Sequence, residues 1–323
     1  MRATRRWFLT GATAAAAAAA MPRLSAVQAA PPIPIIDAHI HLFDPTRPQG
    51  APYGGPRPAS GQVPIAAYPD RYRRLAVPLG VVGAIKVEAS PWIEDNLWVL
   101  EVAERDPIMV GVVGNLEPDK PEFAEYLDRY HKNKLFRGIR YGNIWGRDIA
   151  KQSTNPAFID GLKRLADADL VLDTTNPRVT LLEAVLRIND AVPTLRIVLD
   201  HLPSLDPGAA EQARYDAALR EFRTRRQIFV KLSEIIHRVN DQVPTELSAY
   251  RARLDLLMDV FGEDRILFGS DWPNSDGVAP VERIFAIAKE YFAAQPRTVA
   301  EKYFWRNSVA VYKWVKRDPS QPS

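Results

Sequence analysis

The chain of 323 residues contains no cysteine. Disulfides are therefore excluded, and so is any metal or redox centre built on thiolates. Histidine is scarce, with five copies, so imidazole chemistry is confined to a few places. No internal repeat is present. No glycine-rich turn follows the first apolar run, which argues against a doubly wound dinucleotide-binding sheet. No segment approaches the roughly 20 consecutive apolar residues of a membrane-spanning helix. Hydrophobic residues at 46% and charged residues at 25% are ordinary for a soluble globular protein. A core of that size needs no covalent staples.

A strong charge bias is also missing once the N-terminus is set apart. Residues 1–30 hold Arg2, Arg5, Arg6 and Arg23 and no acid, so without them the formal charge goes from +3 to −1. No basic patch remains to argue for nucleic acid. The stretch "TRRWFLTGATAAAAAAAMPRLSAVQAA" has an arginine pair, then Phe8 and Leu9, then an alanine-rich run. It resembles a bacterial twin-arginine export signal, a receptor-read address rather than an anchor. The expectation is a precursor handled by that export machinery and cleaved near Ala29 or Ala30. The mature protein, residues 31–323, would be periplasmic or exported, with no membrane attachment, a small molecule as its partner and a homodimer as one oligomeric option.

From residue 33 onward, short runs rich in Val, Ile and Leu alternate with longer amphipathic ones. Strands are expected at 33–40, 81–88, 108–113, 136–141, 169–173, 195–200, 228–233 and 265–270. Helical patterns fall at 94–105, 119–133, 156–167, 178–190, 207–225, 246–260, 279–293 and 297–315. Runs without polar alternation suit parallel strands covered on both sides. Eight such strand–helix units predict an α/β fold, a single (β/α)8 TIM barrel. The interval 43–80 is dense in proline and glycine and reads as a long loop after the first strand. Its Tyr53, Tyr68 and Tyr72 suit a partly packed lid.

In such a barrel the chemistry sits at the C-terminal ends of the strands. The opening strand reads "PIIDAHIHLFDP", with Asp37, His39 and His41 at alternate positions, which places all three on one face. His201 ends the sixth strand in "VLDHLP", and Asp271 ends the eighth in "LFGSDWP". His131 falls in a helix and reads as solvated, and His237 follows the seventh strand closely enough to reach the mouth. One polar group at a strand end is commonly a packing residue or a turn residue. Several around one opening would each cost a few kcal/mol without partners, which a shared ligand or reaction centre removes. In "FRGIRYG", Arg137 and Arg140 are candidates to hold a substrate carboxylate. Lys86 and Glu88 either pair with each other or face the ligand. Trp92, Trp145 and Trp272 follow strand ends and could form an apolar wall.

Together "DAHIHLFDP", "LDHLP" and "LFGSDWP" resemble the amidohydrolase-related family, in its branch of sugar-acid and pyrone-dicarboxylate lactonases. The likeness also takes in "IKVEASPWIEDNLWVLEVAERDPIMVGVVGNLEP" and "FRGIRY" and runs from about residue 33 to 315. It implies a metal-dependent hydrolase in which His39 and His41 are the first-strand metal pair. Asp271 is then a ligand or the general base, and His201 binds metal or polarises the substrate carbonyl. The chain departs from the two-metal members, because its fourth strand ends in Arg140-Tyr141 and its fifth in Asp173-Thr174. The implied cofactor is one divalent ion, Zn or Mn, or none. With an ion, bound water is activated. Without one, Asp271 takes the proton and the histidines with an arginine stabilise the oxyanion. Water attack on the carbonyl of a small carboxylate-bearing lactone is the expected reaction. Catalysis would rest on Asp271 and His201, and substrate binding on Arg140, Arg137 and Trp272. Non-oxidative decarboxylation, known in the same superfamily, and a periplasmic small-acid binding protein are the alternatives.

Overall fold

Apolar side chains on both faces of a strand need cover on both faces, and the eight runs obtain it by forming a parallel sheet wrapped in helices. The computed structural model describes residues 31–53, 55 and 65–323. The export signal expected at 1–30 lies outside the described residues, as do positions 54 and 56–64 of the proline-rich loop. The strands are β1 (Ile35–Ile40), β2 (Val81–Lys86), β3 (Met109–Gly114), β4 (Phe136–Arg140), β5 (Val171–Asp173), β6 (Arg196–Leu199), β7 (Ile228–Lys231) and β8 (Ile266–Leu267). They lie side by side in chain order, each pair parallel. The ring closes through the chain just beyond β8. There Ala38 N–H donates to Phe268 O, Asp271 N–H to His39 O and His41 N–H to Trp272 O, at 3.0, 2.9 and 2.8 Å. This is the expected (β/α)8 barrel.

The helices are α1 (Pro69–Ala76), α2 (Asp95–Arg105), α3 (Phe123–His131), α4 (Ile149–Gln152), α5 (Pro156–Asp167), α6 (Val179–Ala191), α7 (Gly208–Phe222), α8 (Arg251–Phe261), α9 (Val281–Ala293), α10 (Arg297–Glu301) and α11 (Asn307–Tyr312). Three departures from expectation stand out, the first being that the pattern at 297–315 divides into α10 and α11 around a π-helical turn at Lys302–Arg306. The interval 43–80 contains α1, because Pro69 opens a helix instead of breaking one: its fixed φ and missing N–H suit the first turn. Helix α4 is a single turn capped by Asp148, whose carboxylate accepts from the N–H groups of Ala150 and Lys151. Among the described residues no helix is long and apolar enough to cross a membrane.

The barrel interior is filled by Ile36, Ala38, Ile85, Val87, Val110, Val113, Val171, Val198, Phe229 and Leu267, and Trp305, Val311, Tyr312 and Trp314 from the C-terminal segment join them. Such mutual packing from seven strands is possible only inside the ring. It shows that Ala38 points inward, and it corrects the shared face expected for Asp37, His39 and His41. The pairing steps from Asp37–Ala84 to Ile40–Lys86, three residues against two, which marks a bulge in β1. The extra residue turns His39 inward alongside Ala38. Asp37 is left on the outer side, where its carboxylate accepts from Tyr72 on α1 at 2.6 Å and from the N–H groups of Ser270 and His39.

Burial outweighs those three hydrogen bonds and raises the Asp37 carboxyl to about 6. The folded form therefore binds its proton more tightly than the unfolded chain, so this group's contribution to stability declines as pH rises from 4 towards 6. A rise from 3.8 to about 6 corresponds to about 3 kcal/mol. Asp37→Asn mimics the protonated form. Its stability relative to the wild type is expected to improve by about that amount between pH 4 and pH 7 in denaturant titrations. A pH-independent difference would refute the assignment.

Candidate active site

Above the apolar floor the inward positions become charged. Asp173 on β5, Asp200 just after β6 and Lys231 on β7 are fully buried. The Lys231 ammonium donates to Asp173 Oδ2 at 2.6 Å and lies 3.0 Å from Asp200 Oδ1. The Tyr312 hydroxyl also reaches both Asp173 oxygens, at 3.0 Å. Burial raises Asp173 to about 6 against the opposing pull of Lys231.

One layer higher stand His39, His41, His201 and Asp271, which the structure brings together. Asp271 Oδ1 lies 3.1 Å from His41 Nε2, 3.4 Å from His39 Nε2 and 3.8 Å from His201 Nε2. His39 Nε2 is 3.3 Å from His41 Nε2. Gly269 permits this closeness, since a Cβ there would sit 2.7 Å from His39 Cβ. His201 and Asp271 both hold left-handed backbone, φ 60° and 57°, a conformation that non-glycine residues adopt at a cost and often at functional sites. Burial would raise Asp271, but the surrounding imidazoles of His201, His41 and His39 outweigh it and hold the carboxyl below its ordinary range. Burial lowers His39 strongly and His41 to a lesser degree, which favours the neutral form of each.

Neutral His41 poses a specific problem. Its Nδ1 faces the carbonyl of Val87 at 3.0 Å, which can only accept, so the ring proton sits on Nδ1. Nε2 is then a lone pair aimed at a carboxylate oxygen 3.1 Å away. Two acceptors at that distance need a proton or a cation between them. The distances from Asp271 Oδ1 to the three imidazole nitrogens and between His39 Nε2 and His41 Nε2, 3.1–3.8 Å, compare with the edges of about 3.3 Å in a tetrahedral site whose metal–ligand bonds are about 2.0–2.1 Å. One divalent ion therefore fits here, and His39, His201 and Asp271 offer ligand atoms that all lie within 4.8 Å of one another.

The layer opens into a polar cavity of about 210 Å³ lined by His41, Tyr53, Glu88, Ala89, Arg140, Ile144, Trp145, Thr175, Asn176, His201, Glu234 and Asn274. Tyr53 leans over His41 with ring centres 6.2 Å apart, and its hydroxyl contacts Asn274. The loop after β1 thus covers the mouth in part. A wider groove of about 740 Å³ lies between α2, α3 and the C-terminal segment and carries none of these groups. A model of the amidohydrolase family matches residues 36–314. The chain belongs to the amidohydrolase family. Curated relatives include two proteins named L-fucono-1,5-lactonase. One, from Burkholderia multivorans, is 25% identical over 285 residues, 85% of this chain and 94% of its own length. The other, from Burkholderia ambifaria, is 27% identical over 247 residues, 74% of this chain and 80% of its own. Among solved structures, an amidohydrolase from Burkholderia multivorans with bound zinc matches with a TM-score of 0.75 at 23% identity, covering 87% of this chain and 100% of that one.

This amidohydrolase places the remaining sequence candidates unevenly. Arg140 lines the cavity but is already engaged: its Nε donates to Glu88 Oε2 at 2.9 Å and its Nη2 to the Glu88 carbonyl. Arg147, unnoticed in the sequence, donates to Glu88 Oε1 at 3.0 Å and to Glu117 and Asn115. Glu88 thus pairs with the arginines rather than with Lys86. Arg137 is remote from the cavity; the charge that bears on it is Asp169, just ahead of β5. Trp272 is fully buried against Tyr72, so it belongs to the packing behind β1 and not to the cavity wall. Trp145 does line the cavity, whereas Trp92 does not. His131 is exposed at the end of α3. His237 turns Nδ1 to the carbonyls of Glu234 and Ile235 and packs against Tyr250 with the rings tilted by 50°. His237→Ala is therefore expected to leave kcat/KM within about twofold, as a surface substitution away from the chemistry does. A loss beyond tenfold in steady-state assays would bring it back into the site.

Proposed function

We propose that this hydrolase opens a small polyhydroxylated lactone, with water adding to the ring carbonyl and the ring C–O bond breaking to give a hydroxy acid. The observation that carries the reading is Asp271 Oδ1 ringed by three imidazoles at the base of a small polar cavity. Asp271, held as a carboxylate, orients the attacking water and accepts its proton. His201, fixed through Nδ1 by the Ser233 hydroxyl at 2.8 Å, faces the carbonyl side and stabilises the oxyanion, and the proton that Asp271 takes from water passes to the departing ring oxygen. Tyr53 and Trp145 close over the ring and exclude bulk water. His39, His41, His201 and Asp271 would hold a divalent ion, zinc or manganese, which lowers the pKa of its water and polarises the carbonyl when bound.

A carboxylate-bearing lactone was the sequence expectation, resting on a free Arg140. The engagement of Arg140 by Glu88 favours a neutral ring carrying hydroxyls, for which Thr175, Asn176, Glu234 and Asn274 supply donors and acceptors. The relatives named L-fucono-1,5-lactonase support the same class. The test is a pH-stat panel of neutral aldonolactones and carboxylate-bearing lactones, with and without added Zn²⁺ or Mn²⁺. The neutral lactones are expected to show a kcat/KM at least about tenfold higher, the scale of one lost charge-assisted contact. No lactone opened faster than in buffer alone would end this reading.

A further inference from the structure

The mechanism above makes no use of Lys231, which is buried directly beneath His39. We propose that Lys231 and Asp200 compete for one atom, His39 Nδ1, and thereby decide whether His39 serves as a hydrogen-bond donor or as a metal ligand. The inference rests on the four-residue donor set of the proposed hydrolase, not on which lactone it opens.

Lys231 Nζ lies 3.3 Å from His39 Nδ1 in hydrogen-bonding geometry. An ammonium can only donate, so while this contact holds, Nδ1 is the acceptor and the His39 proton is on Nε2. Nε2–H then points between His41 Nε2 at 3.3 Å and Asp271 Oδ1 at 3.4 Å. That proton relieves the lone-pair conflict between His41 and Asp271 without any ion. Every contact in the resulting chain runs one way: Lys231 donates to His39, His39 to His41, and His41 to the Val87 carbonyl. In this state His39 has no lone pair on Nε2 to give a metal.

The opposite state is also built in. Asp200 Oδ2 lies 3.6 Å from His39 Nδ1 and has no hydrogen-bond partner despite complete burial, while Oδ1 is ion-paired with Lys231 at 3.0 Å. A buried carboxylate oxygen without a hydrogen bond is costly. If the His39 proton moves to Nδ1, Asp200 accepts it, Nε2 becomes a free lone pair, and Lys231 keeps Asp173. A carboxylate behind a ligating imidazole is the arrangement that supports metal binding. Lys231 and Asp200 are thus positioning residues with opposite effects on the ion.

The test begins with the intact chain. With only five histidines, ¹⁵N-histidine labelling resolves the ring tautomers, and His39→Gln assigns the His39 signals. The metal-stripped protein is expected to carry His39 protonated at Nε2, and added Zn²⁺ is expected to move the proton to Nδ1. Zn²⁺ affinity is then measured against a competing chelator. Lys231→Met is expected to tighten binding about tenfold and Asp200→Asn to weaken it about tenfold, the scale of such supporting contacts. A purely structural role would move both variants the same way. That result, shifts below twofold in both, or an Nδ1–H tautomer in the metal-stripped protein would overturn the proposal. If Lys231→Met fails to fold, the wild-type tautomer and Asp200→Asn decide it. Neither readout involves lactone turnover, so a failure here is separable from a failure of the hydrolase reading.

Discussion

Asp271→Asn is expected to lower kcat by about 10³-fold, within the range for removing a positioned acid–base group or metal ligand. The carboxylate is the one atom group that all three imidazoles face. An amide has nearly the same shape but carries no charge and is a far poorer proton acceptor. Its N–H can donate to the His41 Nε2 lone pair and so occupy the position an ion would take. The cavity residues proposed to hold the substrate hydroxyls, Thr175, Asn176 and Glu234, are untouched, so KM is expected to change only a few-fold. A thermal melt checks that the loss is chemical, because Asp271 is not one of the residues that fill the barrel floor. The measurement is steady-state turnover of the best neutral aldonolactone from the panel. A variant keeping a tenth or more of the wild-type kcat would remove Asp271 from the mechanism and leave His201 as the proton acceptor.

The barrel and the four residues at its centre were legible because each leaves a one-dimensional trace. Valine-rich runs recur with helical patterns between them, and His39, His41, His201 and Asp271 stand at the ends of such runs. What the sequence concealed is three-dimensional. Strict alternation put Asp37 with the histidines, and a single bulged residue in β1 reversed it. No periodicity argument anticipates one inserted residue. Arg137 and Arg140 read alike in "FRGIRYG", yet β4 has its own register shift between Phe136 and Gly138, and Arg137 is drawn towards Asp169 instead of the mouth. Lys231, Asp173 and Asp200 did leave a signal, single charges at inward positions of otherwise apolar strands. The signal becomes readable only once the three strands are known to face one another. The state of Arg140 was beyond reach, since the loop that carries Arg147 has no pattern linking it to Glu88.

Glu88→Ala is expected to destabilise the protein by about 3–5 kcal/mol, the cost of leaving buried cations without their anion. Glu88 takes Arg147 on Oε1 at 3.0 Å and Arg140 on Oε2 at 2.9 Å, and all three side chains are at most 4% exposed. Two guanidinium groups depend on one carboxylate, so the alanine variant strands both, although Arg147 retains Glu117 at 3.3 Å. Replacing Arg140 as well, in Glu88→Ala with Arg140→Met, removes part of the uncompensated charge and is expected to recover a portion of the loss. The double variant is thus expected to be more stable than Glu88→Ala in urea titrations, with the m-value unchanged. The same cycle reports on specificity. Freed from Glu88 in the single variant, Arg140 faces the cavity unpaired and can bind an incoming carboxylate. Where the variant remains folded, its preference should therefore shift from neutral towards carboxylate-bearing lactones. A Glu88→Ala protein that is as stable as the wild type and equally selective would mean that Glu88 neither anchors the arginines nor sets the charge of the substrate.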